Sequence, residues 1–243
     1  MSFCYRYLTL YFLPLLVQSA SDDIAIFYNV YIPEKSDHAV NIIKEQLDQR
    51  NNSIVSNAPL YYVTIGKDIG EFEKCSNCQR IKHYDQASEI ETLSHLHDYC
   101  TTHQDERVLY IHNKGSLHAN RYNEHFRHML NKAVFSQDCL LLKTPSSTDA
   151  DSNLRSKEPG CKCNICSARF SPIPFLHMSG NMWVSECSYI KKLIHPSKIK
   201  STMTEMITSL STEKFGDLIS CEQWETAVER FAAEHWIGTH PDR

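Results

Sequence analysis

Val108-Leu109-Tyr110-Ile111-His112-Asn113-Lys114-Gly115 reads as a strand of the buried type that empties directly into a polar turn. In an open α/β sheet, ligands bind in the crevice outside the carboxyl ends of the strands, where loops present side chains and helix N-termini. This segment therefore places His112 and Lys114 at such a crevice. The same spacing also suits an ordinary turn with a solvated lysine, since Asn113 and Gly115 both tolerate φ > 0.

Upstream, Ile24 to Ile32 (IAIFYNVYI) is a strand-like run that Pro33 stops. Val40, Ile43 and Leu47 recur at helical spacing between Asp37 and Gln49, so a surface helix is predicted there. Leu60 to Ile65 gives a second strand closed by Gly66, and Cys75 to Cys78 falls in an irregular polar stretch. Ile90, Leu93, Leu96 and Tyr99 then mark a helix over Gln86 to Tyr99, ahead of the Val108 to Ile111 strand. This βαβαβ order predicts an α/β fold with a mostly parallel central sheet flanked by helices.

Downstream, a helix is predicted from Ala119 to Val134 with an apolar stripe of Phe126, Met129, Leu130 and Ala133. Its His118, His125 and His128 read as a solvated surface, because an i,i+3 pair falls short of the three or four ligands a zinc site needs. Cys139 to Leu142 is read as a further strand, and residues 144–160 as a polar insertion of weak order. Phe175 to Tyr189 is dense in aromatic, Gly and Asn residues. Helices are read beginning at Tyr189 to Ile194 and over Glu222 to Ala233.

The first twenty residues have a signal-peptide layout, with Arg6 before the apolar run Leu8 to Val17 and Ser19, Ala20 and Ser21 after it. That apolar run is shorter than the roughly 20 residues a spanning helix needs. The reading is a signal over 1–20 and a single domain over 21–243, in the secretory pathway (ER or Golgi lumen) or secreted, with no membrane span in the mature chain. A net charge of -4 with 13 histidines leaves no basic excess for nucleic acid. Beyond Cys4 the cysteines fall at Cys75, Cys78, Cys100, Cys139, Cys161, Cys163, Cys166, Cys187 and Cys221. An oxidising compartment favours disulfides, and a zinc site of Cys75, Cys78, Cys163 and Cys166 is the alternative. Asn51-Asn52-Ser53 supplies a glycosylation sequon.

Three constellations carry chemistry. His112 and Lys114 occupy the strand exit where a sugar-nucleotide transferase places a metal-binding DxD pair, so a lysine ammonium takes over charge neutralisation of a diphosphate. Asp149-Ala150-Asp151 has the DxD spacing but floats in the polar insertion and reads as solvated loop. Gly180-Asn181-Met182-Trp183 joins a close backbone approach and an amide to an indole that can stack on a pyranose, or else is a turn followed by a packed aromatic. Glu229, Arg230 and Glu234 place two acids and a base near Trp236, and either carboxylate could take a proton from a hydroxyl nucleophile.

In this order, Tyr110-Ile111-His112-Asn113-Lys114-Gly115, Gly180-Asn181-Met182-Trp183 with Tyr189 and Leu193, and Arg230-Phe231-Ala232-Ala233-Glu234-His235-Trp236-Ile237-Gly238 resemble a glycosyltransferase-like family related to rhamnan-synthesis proteins and predicted algal transferases. Its pattern runs YIHSKG, GNxWW and RxxAExWIG. Asn113 stands for the pattern's Ser and Val184 for its second Trp. The resemblance implies a GT-A-like, Rossmann-like fold and sugar transfer from a nucleotide-diphospho-sugar to a glycan or other hydroxyl acceptor; the lysine at the strand exit makes that transfer metal-independent in this reading, and no cofactor is expected. It implies that His112, Lys114 and Gly115 hold the donor diphosphate, and that Gly180, Asn181, Trp183 and Trp236 hold sugar or acceptor. Glu234 is the expected base, with Glu229 and His112 as further catalytic candidates. The alternative is a non-catalytic secreted carbohydrate-binding or interaction protein on the same fold; donor sugar, stereochemical outcome and oligomeric state are left open.

Overall fold

A computed structural model describes residues 23–72, 75–142, 163–171, 177–210 and 232–241. The signal segment, the 144–160 insertion with Asp149 and Asp151, and the Glu222 to Glu229 part of the last helix lie outside the described residues.

The six-stranded sheet has the order β3-β2-β1-β4-β8-β5. Strands β1 (Ile24–Ile32), β2 (Leu60–Gly66), β3 (Cys78–Tyr84) and β4 (Arg107–His112) are parallel neighbours. The antiparallel strands β8 (Trp183–Glu186) and β5 (Ile165–Ser167) extend the sheet beyond β4. A separate ribbon pairs β6 (Phe170–Ser171) with β7 (His177–Met178). The helices are α1 (Asp37–Asn51), α2 (Glu89–Thr102), α3 (Arg121–Val134), α4 (Gln137–Leu140), α5 (Cys187–Ile190) and α6 (Ile199–Leu210), with a 3-10 turn at Pro196–Lys198. The fold is thus α/β with a mostly parallel central sheet flanked by helices.

β1 explains the layering. Its residues alternate between two cores: Ile24, Ile26, Tyr28, Val30 and Ile32 pack with Ala39 and Ile43 of α1 and Leu130 and Val134 of α3. Ala25 and Phe27 point the other way, toward Leu93 and Leu96 of α2 and the closing segment with Trp236 and Ile237. A strand covered on both faces must be apolar on both, which is why it reads as a continuous run without alternation.

Two assignments differ from the sequence reading. Beyond the turn at Cys75 to Asn77, the segment from Cys78 is edge strand β3, which the sequence reading did not assign and which carries Arg80, Lys82 and His83. Charged side chains suit an edge strand, where they discourage pairing with another chain. Cys139 to Leu142 is not a strand, because Ser136 caps the short helix α4 by accepting from the Cys139 amide. In α3 the buried face contains Leu130 and Val134 together with Arg127 and Asn131, while Met129 is exposed.

Disulfides join Cys75 to Cys78, Cys100 to Cys187 and Cys139 to Cys166. They tie α2 to α5 and α4 to β5. Cys163 is the free cysteine among the described residues. The proposed four-thiolate zinc grouping is therefore not formed: Cys166 belongs to a bridge with Cys139, and Cys75 and Cys78 bond each other. Asn51 is exposed at the end of α1. Among the described residues, no helix is long and apolar enough to cross a membrane.

Candidate functional site

The chain enters the sheet at β1, runs outward through β2 to β3, then returns through α2 to β4 on the other side of β1. That reversal leaves a crevice beyond the carboxyl ends of β1 and β4, the general ligand position of open α/β sheets. A cleft of about 440 Å³ opens there, lined by Asn29 and Tyr31 from β1 and its exit and by His112, Lys114 and Gly115 from the exit of β4. Ser88 and Glu89 at the start of α2, Lys200 of α6, and Ala232 and Ala233 complete its wall. The volume lies in the range that takes small-molecule ligands.

The turn after β4 is fixed from below. Asn113 accepts from the Tyr31 amide at 2.9 Å and donates to the Tyr31 carbonyl at 2.7 Å, extending the β1–β4 pairing through a side chain. Arg127 of α3 donates to the Lys114 carbonyl at 3.2 Å and is itself paired with Glu45 at 3.0 Å. Gln46 donates to the His112 carbonyl at 3.1 Å and to Asn131 Oδ1 at 2.9 Å. Gly115 has φ +90°, and a Cβ there would lie 3.2 Å from Asn123 Cβ, so the turn needs glycine for both space and conformation. These buried bonds leave the Lys114 ammonium as the turn's projecting group, 5.9 Å from the Phe126 ring centroid.

Around it stands a cluster of two carboxylates and an imidazole. Glu89 Oε2 accepts from the Tyr110 hydroxyl at 3.0 Å and from Asn181 Nδ2 at 2.6 Å, while Oε1 faces His112 Nδ1 at 3.3 Å. Burial, then Glu89, pushes the Tyr110 phenol well above its ordinary range, so Tyr110 stays a donor to that carboxylate. His112 Nε2 donates to the Gly180 carbonyl at 2.8 Å, and the Gly180 amide donates to Glu234 Oε1 at 3.3 Å. One peptide unit on either side of Gly180 thus links His112 to Glu234. Burial holds the Glu234 carboxyl above the usual carboxylate range; Glu89 adds to the shift, and Lys114, His112 and the Gly180 amide oppose it.

His112, Lys114, Gly115 and Glu234, which the sequence singled out, come together here. Gly180 and Asn181 join them as scaffold: Gly180 is at φ +84° and Asn181 at φ 44°, and Asn181 is fully buried. The indoles are a correction. Trp183 and Trp236 are each 0% exposed, so neither offers a face to a sugar. Trp183 stacks on Tyr110 with ring centroids 5.3 Å apart and donates to Asn181 Oδ1 at 3.0 Å; Trp236 donates to the Ile194 carbonyl at 2.6 Å. Glu229 lies outside the described residues.

The sequence reading missed Glu89, Asn29 and Lys200. Glu89 follows the capping Ser88 in the first turn of α2, where an acidic residue is ordinarily explained by the helix dipole. Its second use shows only when Tyr110 and Asn181 are brought beside it.

A family model described as a domain of unknown function, DUF8361, matches residues 27–243. No curated protein and no solved structure matches the chain.

Proposed function

The chain belongs to the DUF8361 family, and we propose that it is a glycosyltransferase that moves a sugar from a nucleotide-diphospho-sugar to a hydroxyl acceptor on a GT-A-like variant of this sheet. The observation that carries the reading is the meeting of Lys114, His112 and Glu89 in the lining of the β1–β4 crevice, with Glu234 next to the lining residue Ala233, bonded to the Gly180 amide and within electrostatic reach of Lys114. The motif resemblance supports it independently.

Transfer needs charge neutralised at the departing diphosphate and a proton removed from the acceptor hydroxyl. Lys114 supplies a fixed cation at the strand exit, and Lys200 also lines the cleft. Glu234 is the base: burial raises its proton affinity toward working pH while Lys114 keeps its ionised form accessible. Glu89, tied down by Tyr110 and Asn181, orients His112, and His112 holds the Gly180 peptide that positions Glu234. The arrangement uses no metal at the diphosphate. The carbohydrate-binding alternative draws no support from Trp183 or Trp236, whose rings are sealed in the core.

The disulfides Cys100–Cys187 and Cys139–Cys166 fit an oxidising compartment, and we assign the protein to the secretory lumen or the exterior. A screen of common nucleotide sugars against hydroxyl acceptors, with no divalent cation added, tests the activity. Release of nucleoside diphosphate with a glycosylated product supports it. Glycan binding without release from any donor overturns it in favour of the non-catalytic reading.

A further inference from the structure

Two turns along α2 from Glu89, His97 is 8% exposed, and neither of its ring nitrogens has a hydrogen-bond partner of good geometry. Buried imidazoles in native proteins are almost always well paired, whereas this ring has only loose approaches to the Leu193 backbone and to Asp98. The ring is not packed among apolar groups alone. Its neighbour Asp98 reaches to 3.9 Å from His97 Nδ1, and His195, at the start of the Pro196–Lys198 turn, brings Nε2 to 3.4 Å from the same Asp98 oxygen. Three ligand-type atoms, one from each residue, lie within 4.8 Å of one another.

We propose that His97, Asp98 and His195 form a binding site for a borderline divalent cation of the Zn²⁺ class, with water in the fourth position. Two imidazoles and a carboxylate are a ligand set that suits zinc and its first-row neighbours rather than Mg²⁺ or Ca²⁺, which prefer all-oxygen shells. Ligands about 2.0 to 2.1 Å from a tetrahedral zinc lie roughly 3.3 Å apart. Metal binding at that spacing requires rotation of Asp98 and of His195, whose side chains are 66% and 34% exposed. The Ser197 hydroxyl lies 2.8 Å from His195 Nδ1 and the Ser197 amide donates toward the same nitrogen at 3.3 Å; a metal at Nε2 requires the tautomer in which Nδ1–H donates to that hydroxyl instead.

The site ties α2 to the Ile194–His195 segment. Ile194 in turn accepts from Trp236, two residues after Glu234. A cation here therefore braces the closing segment without touching the cleft, and the inference stands whether or not the transferase reading does.

The test is titration of the metal-stripped full chain with Zn²⁺ alone against a chromophoric chelator, alongside His195→Ala and Asp98→Ala. The expected result is one equivalent bound by the parent chain, a rise in Tm on binding, and an affinity about 10- to 100-fold weaker in either variant. Asp98 is exposed and His195 half-buried, and circular dichroism confirms folding; if one variant misfolds, the other gives the same reading. No zinc bound by the parent chain, or an unchanged affinity and stoichiometry in the folded variant, overturns the proposal.

Discussion

Lys114 is the residue on which the proposed chemistry turns. Its carbonyl is gripped by Arg127, so its side chain can be removed without loosening the backbone. Lys114→Ala should therefore keep the circular dichroism spectrum and lower kcat/KM about 10²- to 10³-fold, the usual loss for one preorganised group at a developing charge. Undiminished turnover in the folded variant would show that the diphosphate lies elsewhere. Glu234 gives a second prediction through its raised proton affinity. A base must be ionised to act, so kcat/KM should rise with pH along an acidic limb displaced above the ordinary carboxylate range; a limb in that ordinary range would remove Glu234 from the role. The same shift has a stability consequence of fixed sign. The folded carboxyl binds its proton more tightly than the unfolded chain does, so its contribution falls as pH rises from the ordinary carboxylate range to the folded value. Glu234→Gln retains an oxygen to accept from the Gly180 amide and never ionises. That variant should be inactive yet as stable as the parent or more so at neutral pH, and a clear loss of Tm would contradict the account. His112 and Lys114 were legible in the sequence because a strand exit is a recognisable place. Glu89 was not, because its partners Tyr110 and Asn181 reach it only through tertiary packing.

At the scale of elements, the Gly180–Asn181 turn into β8 is the part for which the sequence offered two roles, a ligand surface or a turn followed by a packed aromatic, and the fold shows the second. In the fold it is a strut: Gly180 bridges His112 and Glu234, and Asn181 spans Glu89 and Trp183. A Cβ at Gly180 would sit 2.6 Å from Leu130 Cδ1 at φ +84°, so Gly180→Ala combines backbone strain with overpacking. It should cost about 1–3 kcal/mol in urea unfolding and depress turnover by more than KM; an unperturbed variant would show that the turn is slack. Strand β3 and helix α4 mark where local pattern fails. An edge strand tolerates charge because one face of its pairing meets no neighbour, and one capping serine converts an apolar tetrad from strand to helix. Helix α5 is tied down more remotely. Cys100–Cys187 closes a separation of 87 residues between α2 and α5, and replacing both by Ala should cost about 2–4 kcal/mol in equilibrium unfolding.

For the whole molecule, the parallel order β3-β2-β1-β4 makes a crevice at β1 and β4 a matter of topology, before any side chain is chosen. This is why the βαβαβ pattern sufficed to place the cleft. The two antiparallel strands β8 and β5 were outside that pattern, because a four-residue and a three-residue strand carry too little periodicity to read. They matter all the same, since β8 delivers Gly180 beside His112. A cation in place of a metal-bearing acidic pair makes a further demand on the whole chain: the double substitution Asp149→Ala with Asp151→Ala should leave transfer intact without added divalent cation, and its loss would return the diphosphate to a metal. The most direct measurement of the central claim is calorimetric titration of the full chain with UDP, GDP and CDP, repeated on Lys114→Ala. The account predicts one-to-one binding of at least one of these that weakens by tenfold or more in the variant, as expected when a buried-site charge partner is lost. Absence of binding for all three, or an affinity indifferent to Lys114→Ala, would contradict it.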